Sequence, residues 1–150
     1  MKRIVLVFVI VFSVLPSLQA QEEATLPWHT NLEEAMELAK EEDKLVLMYF
    51  TGSDWCRPCK HLKADFFESA DFAESAKEMV LVIIDIPRRQ DLLSPEQLAY
   101  NMKVLSRYNE EKTFPKILAL NHKGKVKGVI TGYGSLRDTS PYFKFLDTYF

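Results

Sequence analysis

Residues 45–59 constrain this chain most. Leu45 to Phe50 is an unbroken apolar run of strand length, the pattern of a strand buried on both faces. Thr51-Gly52-Ser53-Asp54 is turn material. Trp55-Cys56-Arg57-Pro58-Cys59 comes next, and Pro58 suits the first turn of a helix, where its missing N–H costs nothing. Cys59, Leu62 and Phe66 then share one helical face. Two cysteines are thus expected between the end of a buried strand and the start of a helix.

That position has chemical consequences. The first amides of a helix lack intrahelical partners, and the macrodipole places partial positive charge there. A thiolate on Cys56 is favoured by both, so its pKa is expected to fall, and Arg57 pushes the same way. Cys59, one turn further on, is expected to be more buried and to hold its proton longer. These are the chain's only two cysteines. A bridge between them closes too little chain to contribute much loop entropy, which argues against a structural staple. Zinc needs four ligands, and His29, His61 and His122 form no second motif with the pair, so no metal is expected. Thiol–disulfide exchange remains, with Cys56 attacking, Cys59 resolving, and no cofactor beyond the pair.

The rest of the chain supplies a frame. Thr30 with Glu33 is a plausible capping box for a first helix carrying Leu32, Ala35, Met36 and Ala39, ending near Glu42–Asp43. A shorter helical piece is expected over Asp71 to Glu78, and Met79 to Ile86 reads as a second buried strand. Pro87-Arg88-Arg89-Gln90-Asp91 breaks it as a basic, solvated loop. Ser94, Pro95 and Gln97 start a helix with Leu98, Met102 and Leu105 as its apolar stripe. Lys116 to Leu120 reads as a third strand, and Asn121-His122-Lys123-Gly124 turns it into a hairpin with Val126 to Ile130. Ser140 and Pro141 open a last helix with Tyr142, Phe145, Leu146 and Tyr149 on one face. Strands alternating with helices imply parallel pairing, with an antiparallel edge from the hairpin. The expected class is α/β: a mixed central sheet with helices on both faces.

The first twenty residues are of another kind. Lys2 and Arg3 precede the apolar run Ile4 to Phe12; Pro16 and Ser17 follow, and Ala20 ends the segment on a small residue. This is the layout of a secretory signal peptide spanning 1–20, with a retained N-terminal membrane anchor as the alternative. Cleavage would remove two basic residues and no acid, taking the net charge from −2 to −4. Neither value suggests nucleic acid as a partner.

Phe50-Thr51-Gly52-Ser53-Asp54-Trp55-Cys56-Arg57-Pro58-Cys59-Lys60 resembles the active-site segment of exported members of the thioredoxin-like family. The likeness runs from about Leu45 to the C-terminus, and is nearest to the C-terminal thioredoxin-like domain of the transmembrane disulfide reductase DsbD. It implies one thioredoxin-like domain over 21–150. Thr113-Phe114-Pro115-Lys116 matches the place where the family keeps a cis-proline facing the cysteines. By that resemblance Pro115 is cis and leaves the Phe114 backbone free to pair with a substrate strand, while Trp55, Arg57 and Pro58 support the site.

The chain also departs from the pattern. Thioredoxin has a buried aspartate in the strand before its cysteines and a lysine partnering it. Leu45-Val46-Leu47-Met48-Tyr49-Phe50 holds no carboxylate, and Val80 to Ile84 holds no lysine. The proton of Cys59 must then use water, Asp54 or another group, although Asp54 reads first as a turn residue.

The expected activity is reduction of disulfides in exported proteins, in the periplasm or outside the cell, by a monomer fed from a membrane-bound thiol donor. Two alternatives stay open: a dithiol oxidase or isomerase using the same pair, and a binding module that recognises an extended partner segment beside the cis-proline without turnover, with the loop from Pro87 to Leu93 as a further candidate docking surface.

Overall fold

The computed structural model describes residues 26–150, so the expected signal peptide lies outside the described residues. The elements are α1 (Leu32–Glu41), β1 (Leu45–Thr51), α2 (Arg57–Leu62), α3 (Ala70–Ser75), β2 (Met79–Asp85), α4 (Pro95–Tyr108), β3 (Lys116–Leu120), β4 (Val126–Thr131) and α5 (Ser140–Tyr149). A π-helical turn, Lys63–Phe67, continues α2, and a 3₁₀ turn, Ala76–Glu78, follows α3.

The sheet order is β2-β1-β3-β4. β1 pairs parallel with β2, and β3 pairs antiparallel with both β1 and β4. Parallel entry of the third strand was expected after α4. Instead the segment following α4 returns the chain to the Phe50 end of β1 before β3 begins, so that Lys116 lies beside Phe50.

β1 is central, and Val46 to Thr51 are all buried. Its period of two divides the core. Leu47 and Tyr49 face a cluster with Cys59, Leu62, Phe66, Phe72, Tyr142, Phe145 and Leu146 from α2, α3 and α5. Val46, Met48 and Phe50 face the opposite cluster, with Leu32, Ala35 and Ala39 of α1 and Val104 and Leu105 of α4. The sheet is therefore covered on both faces, as the unbroken apolar run required.

Local chemistry sets the helix ends. The α1 cap is Asn31, not Thr30: the Asn31 side chain accepts from the Glu33 and Glu34 amides at 3.0 and 3.2 Å. Asparagine is the stronger cap, so the helix starts one residue later. Ser94 caps α4 as expected, accepting from the Gln97 amide. The Gln97 side chain does not close a box but donates to Thr30 O and Asn101 Oδ1. The α4 stripe also differs. Met102 is 43% exposed, and the buried turn is Asn101, whose Nδ2 donates to Asp85 O at 2.8 Å. A polar side chain is tolerated there because its burial is matched by hydrogen bonds.

An aromatic nest fills the core on the β1 face that carries Leu47 and Tyr49. The Phe66 ring is fully buried and lies 4.9–5.4 Å from the rings of Phe67, Phe72, Tyr142 and Phe143. Asp65, on the same turn, accepts from Tyr133 Oη at 2.8 Å and from Arg137 Nε at 2.7 Å, tying the segment after β4 to the helix carrying the cysteines. The Arg137 hydrogen bond, with help from Tyr133, holds the Asp65 carboxyl below the usual range.

Phe66→Ala is expected to destabilise the domain by about 3–5 kcal/mol through lost burial and an unfilled cavity, read by denaturant unfolding. Because the folded-state pKa of Asp65 is depressed, its contribution is present above the unfolded-state value and lost as pH falls through the folded one. Melting temperature followed from pH 6 to pH 3 should therefore fall less steeply in Asp65→Asn than in the parent.

Candidate active site

The cysteine pair lies at the point where β1 hands the chain to α2. Gly52 accepts the Cys56 amide at 2.8 Å and the Trp55 amide at 3.2 Å, closing the turn. Cys56 is the N-cap of α2, in extended conformation, and its Sγ accepts the Cys59 amide at 3.3 Å. Pro58 occupies the first turn, as its missing donor allows. The two cysteines form a disulfide with Cα atoms 5.3 Å apart. Cys56 is 4% and Cys59 1% exposed, so what little access remains in the oxidised form favours Cys56.

Around the pair, the turn is clamped to the end of β2. Ser53 donates to Asp85 through both its amide, at 2.8 Å, and its hydroxyl, at 2.5 Å. The Asp54 carboxylate accepts the backbone amides of Arg88 at 3.0 Å and Arg89 at 2.9 Å. Desolvation raises the Asp54 carboxyl, but these amides outweigh it and hold the group below its ordinary range. Asp54 is thus an anchor of two segments, more than the local turn residue its neighbours suggested. Trp55 Nε1 donates to Ile86 O at 2.8 Å, and its indole lies directly over Gly52, where an added Cβ would stand 2.3 Å from the ring. Only a residue without a side chain permits that approach.

The structure brings Phe114 and Pro115 to the same rim. The Phe114–Pro115 peptide bond is cis. The Trp55 and Phe114 rings meet edge-on with centroids 5.3 Å apart. The preceding loop is pinned by Asn109, whose amide side chain donates to Thr113 O at 2.8 Å and accepts the Thr113 amide at 3.0 Å. Gly132 N donates to Pro115 O at 2.8 Å, placing the end of β4 alongside. Arg57 is exposed at the start of α2. The seven residues singled out from the sequence thus lie on two chain segments that meet through Trp55 and Phe114.

Two participants escaped the sequence reading. Arg88, expected in a solvated loop, places its guanidinium carbon 4.6 Å from the Trp55 ring centroid. Tyr49 lies beneath the helix that carries the cysteines, its hydroxyl 3.3 Å from Cys59 O and 3.2 Å from Thr51 Oγ1. Burial pushes the Tyr49 hydroxyl up to about 12, so it stays protonated at neutral pH. The alternation of β1 puts Tyr49 on the same face as Leu47, and so on the cysteine side; that signal was available. Among the described residues no group of three or more His, Cys, Asp or Glu could hold a metal ion.

Known proteins resemble this chain in sequence and in fold. A thioredoxin-like family model matches residues 27–121. The disulfide bond reductase DsbH of Chlamydia pneumoniae is 28% identical over 103 residues, covering 68% of this chain and 60% of that protein. The thioredoxin-related protein DsbJ of the same organism is 27% identical over 126 residues, covering 81% of this chain and 35% of that one. The matched region thus spans less than two thirds of the length of either curated relative. Among solved structures, a DsbH oxidoreductase superposes with a TM-score of 0.70 at 25% identity, over 83% of this chain and 84% of its own. The oxidised C-terminal domain of Neisseria meningitidis DsbD superposes with a TM-score of 0.56 at 21% identity, over 79% and 93%, a likeness of fold. With the family model matched over more than half its length and the cysteine pair seated at the strand-to-helix junction, this chain belongs to the thioredoxin-like family.

Proposed function

We propose that this protein is a thiol–disulfide oxidoreductase that reduces disulfides in exported proteins. The observation that carries the reading is the Cys56–Cys59 disulfide at the start of α2, with Cys56 as the capping residue that accepts the Cys59 amide. An atom in that position is the one whose negative charge the helix start favours, so Cys56 is the group to leave and to attack as thiolate. DsbH, the relative similar in both sequence and structure, bears the name disulfide bond reductase, which supports the reducing direction.

The reaction balances as two exchanges. The reduced protein's Cys56 thiolate attacks one sulfur of a substrate disulfide; a mixed disulfide forms and the other substrate sulfur leaves as thiolate, taking up a proton. Cys59, deprotonated, then attacks Cys56 Sγ, restoring the internal disulfide and releasing the second substrate thiol. Two electrons pass to the substrate, and a dithiol donor, membrane-bound in this reading, returns them to the pair. Among the described residues no helix is long and apolar enough to cross a membrane. Export rests on the N-terminal segment read from the sequence, and a monomer acting on protein thiols is part of the same proposal. Among the described residues, the Phe114 backbone has no hydrogen-bond partner, which supports its use as a pairing edge for an extended substrate beside Trp55 and Pro115.

Equilibration of residues 21–150 in thiol redox buffers tests the direction. A potential near −250 mV or below is expected for a reductant, and one near −120 mV would make the protein a dithiol oxidant instead, by comparison with about −270 mV for thioredoxin and about −120 mV for DsbA. Cys59→Ser is expected to accumulate the mixed disulfide with substrate, visible by mass, whereas Cys56→Ser should form none. Full biological activity in a Cys56→Ala, Cys59→Ala double variant would instead establish a binding module.

A further inference from the structure

The mouth of the redox site carries charges that are unequally matched. Arg89 Nε meets Asp91 Oδ1 at 3.1 Å, and the Asp54 carboxylate is taken up by two backbone amides. Lys60 Nζ donates to Asp54 O at 2.8 Å. Arg57 and Arg88, both exposed, form no ion pair among the described residues. The carboxylates of Asp54 and Asp91 therefore already accept hydrogen bonds, while the Arg57 and Arg88 guanidinium groups keep their N–H donors free of a carboxylate partner among the described residues. The chain as a whole is mildly acidic, with a formal net charge of −2, so the excess is local.

Arg88 is also held in place. Its guanidinium lies on the Trp55 ring, a contact that orients a cation while leaving its N–H edges outward. Trp55 is itself fixed by Ile86 O and by the missing side chain of Gly52, and its ring meets Phe114 edge-on. One indole thus separates Arg88 from the Phe114–Pro115 segment, and Arg57 directly follows Cys56. A planar guanidinium with outward donors suits a carboxylate, and pre-orientation lowers the entropy lost on binding it.

We infer that Arg88 and Arg57 form a specificity rim that selects substrate segments with Asp or Glu flanking the disulfide. The inference rests on the exchange activity proposed above and adds its substrate class. The partner is an extended acidic protein segment: its disulfide meets Cys56, and a flanking carboxylate reaches the Arg88 guanidinium over Trp55.

The test uses residues 21–150, reduced with dithiothreitol and then freed of it, against three symmetric disulfide-linked peptide dimers. They differ only in whether glutamate, glutamine or lysine flanks the cysteine. Second-order rates are read by acid quench and thiol labelling, each divided by that peptide's rate with dithiothreitol to remove differences in intrinsic reactivity. The glutamate peptide should react about fivefold faster than the lysine peptide at low ionic strength, as two exposed charge contacts allow. The ratio should fall toward one at about 0.5 M salt. Arg88→Gln should cut it to about twofold, and Arg88→Glu should invert it, with circular dichroism confirming that each variant is folded. A parent ratio of one, or a ratio unmoved by Arg88→Glu, overturns the specificity rim while leaving exchange intact. If no peptide is reduced, exchange itself fails. Serine-for-cysteine versions of the peptides, titrated against tryptophan fluorescence, then decide the rim: tighter binding of the glutamate peptide upholds it, and equal binding of all three overturns it.

Discussion

Burial of β1 on both faces is the constraint on which the rest of the molecule depends. A strand with no solvated face needs a layer of helices above and another below, and it needs neighbours on both edges for its amides and carbonyls. β2 and β3 supply the edges, α1 and α4 one layer, and α2, α3 and α5 the other. The chain can leave such a strand only at its ends. Its C-terminal end is therefore where a turn comes to the surface, and the cysteine pair occupies the first helical turn after it.

The clamp between that turn and the end of β2 makes the surface site definite. Ser53 to Asp85, Asp54 to the Arg88 and Arg89 amides, and Trp55 to Ile86 O link the two segments. Each exposed hydrogen bond contributes about 1 kcal/mol or less on its own. Here three adjacent residues, Ser53, Asp54 and Trp55, make five of them, so ordering one side chain lowers the entropy lost by the next. Trp55 is the product of that clamp: a large ring held against Gly52, with the Arg88 guanidinium over it and the Phe114 ring meeting it in a T-shaped contact.

Much of this could be read from the residues. The run Leu45 to Phe50 and the Cys56–Cys59 spacing identified the central strand and the turn that carries the cysteines, because burial and helix-start chemistry are local properties. The direction of β3 was not legible in that way. It depends on the path of the chain after α4, and no periodicity records where a connection ends. Met102 was misplaced for a related reason: hydropathy favours methionine over Asn101 on an inward face, but only the fold shows that Asp85 O waits there for an amide. Arg88 looked like a solvated loop residue because its partner, Trp55, lies thirty-three positions earlier.

The missing carboxylate beneath the cysteines reshapes the electrostatics of the site. Burying an ionised group costs several kcal/mol unless it is paired. Tyr49 avoids that cost: its hydroxyl stays neutral and lies within hydrogen-bond reach of Thr51 and the Cys59 carbonyl. No full charge is then contributed from below by β1. The full charges near Cys56 stand at the rim instead, on Arg57, Lys60, Arg88 and Asp54, all at least partly open to solvent. Charges in that position are screened within about 8 Å at physiological ionic strength. Positive potential at Cys56 is therefore divided between two sources: a helix start, whose amides act at contact distance, and a cationic rim, whose influence on the site and on an approaching charge weakens as salt is added.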